Sequence, residues 1–129
     1  MGKLVLVVDD EEMTRRILAT LLKLDGHECV EAEDGLEALE KAVALNPDAI
    51  ILDVMMPVMD GITVCKKLRA DPATAHVPIV MLSGRAQINA EGEGLEAGAN
   101  AYMRKPIEPK KMLEILKDLM SRNSSSEPT

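Results

Sequence analysis

Apolar residues along this chain recur with two different periods. Leu4-Val5-Leu6-Val7-Val8 is an unbroken apolar run, and residues 3–9 read as a buried strand. Met13, Ile17, Leu18, Leu21 and Leu22 then recur at helical spacing, with Gly26 as the stop. Residues 27–32 alternate in part, as an edge strand does. Leu36, Leu39, Ala42 and Val43 form a second helical stripe, ended by Asn46-Pro47. Ala49-Ile50-Ile51-Leu52 is a third strand that closes on Asp53. Asp60 is placed to cap a third helix starting at Gly61, with Val64, Cys65 and Leu68 inward. Residues 78–83 predict a fourth strand. Residues 86–97 predict a fourth helix, weakened by Gly92 and Gly94 and ended by Gly98. Residues 100–105 predict a fifth strand, and Met112, Leu113, Leu116, Leu119 and Met120 mark a last helix. Residues 121–129 are polar and read as structureless.

Five strands alternating with five helices predict an α/β doubly wound sheet. The first, third and fourth strands are apolar throughout, as parallel strands covered on both faces should be. Right-handed crossovers gather the loops at the carboxyl ends of such strands near the topological switch point. Asp9 and Asp10, Asp53, Ser83 and Lys105 all fall at those ends, on four different strands. Asp10 alone would also suit a helix N-cap, and Lys105 alone a solvated surface charge. Such residues at four equivalent strand ends favour one shared site.

An acid that ends so apolar a segment as Asp53 is costly unless something uses its charge. Three converging carboxylates repel and raise one another's pKa values. A hard divalent cation held by oxygen ligands relieves that repulsion. The pattern therefore points to a metal-assisted acidic site.

Length and composition narrow the class. The chain has 129 residues, which suits one domain. Its core must be aliphatic, with no Trp, no Phe and one Tyr, and the nine Met residues read as adaptable packing. A net charge of −7 argues against a nucleic-acid surface on this domain, since phosphate contacts need clustered Lys and Arg. Cys29 and Cys65 form no metal-type pair and read as reduced packed thiols, and His27 and His76 are isolated. The first apolar run is too short for a signal peptide or a membrane span, so a cytoplasmic location without membrane contact is expected.

Over residues 3–120 the chain resembles a response-regulator receiver domain of two-component signalling, of the chemotaxis-regulator-like kind. The motifs that carry the likeness are Val8-Asp9-Asp10, Asp53 with Met56-Pro57-Val58-Met59-Asp60-Gly61, Ser83-Gly84, and Tyr102-Met103-Arg104-Lys105-Pro106. The resemblance implies a flavodoxin-like five-stranded parallel sheet in the order 2-1-3-4-5. It implies a receiver domain over 1–121, with 122–129 a disordered tail or the start of a linker. Asp53 looks like the phosphoacceptor, and hence the modified residue. Asp9, Asp10, Asp53 and the backbone carbonyl of Met55 look like the Mg²⁺ ligands. Ser83 looks like the switch hydroxyl, Lys105 the phosphoryl-contacting cation and Tyr102 the aromatic switch. The Lys105-Pro106 bond is cis in similar domains.

The implied function is a conformational switch rather than a conventional turnover enzyme. Asp53 would take a phosphoryl group from a sensor histidine kinase or phosphotransfer protein, and a downstream output domain or protein would read the result. A homodimer formed on phosphorylation belongs to the same expectation, although Gly92, Gly94 and Arg104 leave no dimer type assigned. Met55 and Arg85 flank the expected water path. A thioether and a cation there, where fast-hydrolysing relatives carry an amide and an acid, imply an acyl phosphate lasting minutes to hours.

Three rivals fit less well. An aspartate-nucleophile phosphatase would carry Asp-x-Asp, whereas Asp53 is followed by Val54-Met55. A flavodoxin-like cofactor binder needs a phosphate loop rich in Gly, Ser and Thr, and Asp9-Asp10-Glu11-Glu12 would repel phosphate. A degenerate receiver that only binds partners would have lost part of the acid set or Lys105.

Overall fold

A computed structural model of the chain describes residues 2–84 and 90–125. Strands and helices alternate: β1 Leu4–Val8, α1 Glu12–Leu24, β2 Glu28–Ala32, α2 Gly35–Leu45, β3 Ala49–Asp53, α3 Gly61–Ala70, β4 Ile79–Ser83, α4 Ala90–Ala97, β5 Ala101–Arg104 and α5 Pro109–Ser125. The strands form one sheet in the order β2-β1-β3-β4-β5, with every pairing parallel. This is the doubly wound arrangement expected from the alternation of periods.

Successive strand side chains point to opposite faces, so a strand covered on both sides must be apolar at every position. β3 and β4 are buried along their whole length. Leu6, Val8, Ile50, Leu52 and Met81 pack on one face with Ala38, Ala42, Val64, Leu68 and Ala97 of α2, α3 and α4. Val5, Val7, Ile51, Val80 and Leu82 pack on the other with Leu18, Leu22, Met112, Leu116 and Met120 of α1 and α5. Asp60 caps α3 as expected, its side chain accepting the Thr63 N–H at 2.8 Å.

The helices differ from the apolar stripes in their facing. Met13 is 70% exposed and Ile17 is also exposed; α1 buries Leu18, Ala19 and Leu22 instead. The largely buried Arg15 occupies the first turn of that face. In α2, Leu36 is 64% exposed and Val43 is exposed, while Gly35, Ala38 and Ala42 are buried. A Cβ on Gly35 would stand 2.9–3.0 Å from side-chain atoms of Val64 and Met59. This helix lies so close to its neighbours that its small residues make the contact and its large ones face outward. The last helix runs on to Ser125, into the segment read as structureless. The expected start of the fourth helix, at residue 86, lies outside the described residues.

At the amino-terminal edge of the sheet, Arg69 ties the α3–β4 and α4–β5 loops together. Nε donates to the Gly98 carbonyl at 2.9 Å, Nη1 to the Val77 carbonyl at 2.7 Å and Nη2 to Asn100 Oδ1 at 2.8 Å. Among the described residues no helix is long and apolar enough to cross a membrane.

Candidate functional site

Register brings the carboxyl ends of four strands to one edge. Val8 lies opposite Leu52, so Asp9 follows beside Asp53. Asp53 lies opposite Leu82, so Ser83 comes next on β4. Ser83 in turn lies opposite Arg104, and the Lys105 N–H donates to the Ser83 carbonyl at 2.7 Å. The Lys105–Pro106 peptide bond is cis, as expected.

Carboxylate oxygens of Asp9, Asp10 and Asp53 lie within 4.8 Å of one another. Asp9 and Asp53 are buried, and Asp10 is exposed. The Lys105 ammonium is shared: Nζ is 3.2 Å from Asp9 Oδ2, 3.5 Å from Asp53 Oδ1 and 3.5 Å from Glu11 Oε1. Asp9 Oδ1 accepts the Glu11 N–H at 2.8 Å. Asp53 is only 3% exposed, and its Oδ1 has no hydrogen-bond partner among the described residues. The ammonium at 3.5 Å is an ion pair too long to count as a charge-assisted hydrogen bond.

This geometry shifts three titrations. Burial pushes the Asp53 carboxyl up to about 6; the neighbouring Asp9 charge adds to the rise and Lys105 opposes it. Burial also raises Asp9, against the pull of the Glu11 N–H and Lys105. Burial alone would lower the Lys105 ammonium, but Asp53 and Asp9 outweigh it and hold its pKa raised. Lys105 is therefore a fixed positive charge, and Asp53 is a poorly compensated acid.

A cleft of about 660 Å³ opens above these groups, lined by Asp10, Glu11, Asp53, Met55, Met56, Pro57, Gly84 and Lys105. The strand end that carries Asp53 packs against Gly61. A Cβ there would stand 2.2 Å from the Asp53 carbonyl oxygen, so α3 can begin against the end of β3 only with glycine. Met55 lines the cleft with its side chain exposed.

Ser83 and Tyr102 are not on the cleft wall. Ser83 is buried at the end of β4. Tyr102 is partly buried within β5, opposite Met81 and beside Gly94 of α4. Asp10 does not cap α1; the residue before the helix is Glu11, and its side chain makes no cap bond. Arg85 lies outside the described residues. Two groups went unpredicted: Glu11, which shares Lys105, and Arg15, which donates to the Asp9 carbonyl at 2.8 Å. The available signal was an arginine at 15 on the helix face that also carries 18, 19 and 22.

A family model for the response regulator receiver domain matches residues 5–117. The chain belongs to that family. The receiver is 41% identical over 129 residues to the alkaline phosphatase synthesis transcriptional regulatory protein PhoP of Bacillus subtilis, covering all of this chain and 53% of that one. It is 38% identical over 121 residues to the phosphate regulon transcriptional regulatory protein PhoB of Pseudomonas aeruginosa, covering 94% and 53%. The receiver thus spans about half the length of these relatives. A solved receiver domain of the sensor histidine kinase PA1611 from Pseudomonas aeruginosa superposes with a TM-score of 0.86 at 28% identity, covering 94% of this chain and 99% of that one. That structure has a magnesium ion coordinated in its active-site cleft.

A receiver supports its own phosphotransfer chemistry rather than turning over a separate substrate. The three convergent carboxylates and the unpartnered Asp53 oxygen fit a divalent cation, which a site of this kind needs before it can accept an anion.

Proposed function

We propose that Asp53 accepts a phosphoryl group in a Mg²⁺-dependent reaction and that the modified domain switches conformation to control an output partner. The observation that carries this is the buried, unpartnered Asp53 Oδ1 beside a lysine and two further acids. Asp9, Asp10, Asp53 and the Met55 carbonyl would hold the ion. When bound, it offsets negative charge on the transferring oxygens. A carboxylate oxygen of Asp53 attacks phosphorus in line. The P–N bond of a phosphohistidine on a sensor kinase or phosphotransfer protein breaks as the P–O bond forms, and the imidazole leaves with the electron pair. Lys105 is already poised to neutralise a phosphoryl oxygen. The formal charges favour anion entry once the ion is bound: one ammonium and one divalent cation offset the three aspartates, leaving only the more exposed Glu11 carboxylate at the rim. The reading places the domain in the cytoplasm with its kinase partner.

Incubation with acetyl phosphate and Mg²⁺, followed by intact-mass measurement, should show one added phosphoryl group. Asp53→Asn should gain none. Modification of that variant at the parental rate would remove Asp53 from the role.

Ser83 is buried and Tyr102 partly buried, and neither lines the cleft, which suits groups that respond to the phosphoryl rather than bind it beforehand. A charge-assisted hydrogen bond contributes about 1.5–3 kcal/mol. Reversing a two-state population from 1:99 to 99:1 takes about 5.5 kcal/mol. Ser83 and Lys105 together approach that figure, and neither reaches it alone. Ser83→Ala should therefore accept phosphoryl yet show a much smaller hydrogen-exchange response over residues 90–104. A full response in that variant would exclude the hydroxyl from the switch.

A further inference from the structure

The buried face of α1 carries one charged side chain, Arg15, which is 11% exposed. Its Nη1 donates to the Asp9 carbonyl at 2.8 Å and its Nε to Glu31 Oε1 at 3.1 Å. Its Nη2 lies 3.8 Å from Glu33 Oε2. One guanidinium therefore joins the end of β1, the end of β2 and the turn before α2. The Glu31 backbone is itself fixed, since it pairs in register with Val7 and its carbonyl accepts from Lys41 Nζ.

The Asp9 carbonyl belongs to the planar peptide unit that joins Asp9 to Asp10. Holding that oxygen sets the rotation of the unit, and with it the direction in which Asp10 leaves the backbone. Asp10 is exposed, so little packing holds its side chain, and its aim depends on the backbone that bears it. The planar guanidinium makes two hydrogen bonds at a fixed angle, which a flexible ammonium does not reproduce.

We propose that Arg15, braced by Glu31, is a positioning residue for the cation site, orienting the Asp9–Asp10 peptide so that Asp10 reaches the ion with Asp9 and Asp53. The inference rests on the reading of these three acids as cation ligands. Arg15 touches neither the ion nor the phosphoryl group; it acts through the backbone. Groups that orient ligands in this way typically cost about 10–100-fold in metal affinity when removed. Arg15 holds a backbone carbonyl rather than a carboxylate, which places it at the lower end.

The test is a MgCl₂ titration of the full chain, labelled with ¹⁵N and followed at the Asp10 and Asp53 amides. Parent, Arg15→Lys, Glu31→Gln, Asp10→Ala and Arg69→Lys are compared, with amide exchange at Asp10 and Glu11 measured without metal. Arg15→Lys should weaken Mg²⁺ about tenfold and Glu31→Gln about threefold, both with faster exchange at those two amides. Arg69→Lys breaks a comparable three-point clamp at the opposite edge of the sheet and should lower the melting temperature while leaving Mg²⁺ affinity within about twofold. Parental affinity in both Arg15→Lys and Glu31→Gln, with Asp10→Ala silent, would overturn the inference while leaving the cation site intact. Equal weakening in Arg69→Lys would overturn it too, by showing general loosening. If Arg15→Lys does not fold, Glu31→Gln decides alone. A parent without saturable Mg²⁺ shifts would refute the cation-site reading itself, before any variant is considered.

Discussion

Asp53→Asn should melt about 5–10 °C higher than the parent at about pH 7.5 in the absence of divalent metal. The native carboxyl titrates near 6, against 3.8 for an unperturbed one, because burial and the Asp9 charge outweigh Lys105. A tenfold change in proton affinity corresponds to about 1.36 kcal/mol, so the ionised group opposes folding by about 3 kcal/mol at most. The folded state binds this proton more tightly than the unfolded chain does. Its contribution is therefore favourable below about pH 4 and is lost as the pH rises through about 6. Asparagine keeps the shape and removes the charge. It also removes one of the three acids that share Lys105, which brings the expected gain below the full figure. Thermal melts in EDTA at about pH 7.5 and about pH 4 test both parts, since the gain should vanish at the lower pH. Added Mg²⁺ should raise the parent's midpoint and do much less for the variant, because an ion that binds only the native state stabilises it by mass action. An unchanged or lower midpoint at the higher pH would show that Asp53 is not an uncompensated charge. The proposed phosphoacceptor would thus also weaken the fold, a trade that active sites commonly make.

The strands and the site edge were legible because both follow from rules that a sequence states directly. A strand buried on both faces must be apolar throughout, and β1, β3 and β4 are. Polar residues that end such strands have one place to go, which put Asp9, Asp53, Ser83 and Lys105 together. The facing of the helices was harder to read. Large apolar residues mark a stripe only if size decides burial, and in α2 close approach selected Gly35, Ala38 and Ala42 while Leu36 and Val43 stayed outside. In α1 the inward position at 15 went to an arginine, because the bare Asp9 carbonyl and Glu31 supplied partners that a stripe of hydrophobicity does not show. The end of α5 was missed for a related reason: a Ser- and Asn-rich sequence predicts no boundary when the helix before it is already anchored by Met112, Leu116 and Met120. Ser83 and Tyr102 were placed correctly along their strands. Their burial away from the cleft lining depends on register and on α4, which no local pattern encodes.

Gly61→Ala should destabilise the domain by about 3 kcal/mol or more, although glycine to alanine in a helix ordinarily gains up to about 1 kcal/mol. The added Cβ would lie 2.2 Å from the Asp53 carbonyl oxygen, 2.9 Å from its carbon and 2.9 Å from the Val54 Cα. All three are backbone atoms, so no rotamer change relieves the clash. The helix cannot simply withdraw either. Its first N–H, that of Gly61, donates to the Val54 carbonyl at 2.9 Å, and Asp60 caps the same turn through Thr63. Relief must come from moving β3's last residues, which carry Asp53 and lead to Met55. The midpoint should fall by about 10 °C or more, and acetyl phosphate should modify the variant more slowly even at temperatures well below its melt. Gly92 supplies the contrast. A Cβ there meets nothing within 4 Å, so Gly92→Ala should behave as the helix rule says and raise the midpoint by a few degrees. Opposite signs for the two substitutions would locate the effect in the close approach of α3 to the strand that carries Asp53. Parental stability together with a parental phosphorylation rate in Gly61→Ala would show that this approach does not constrain the site.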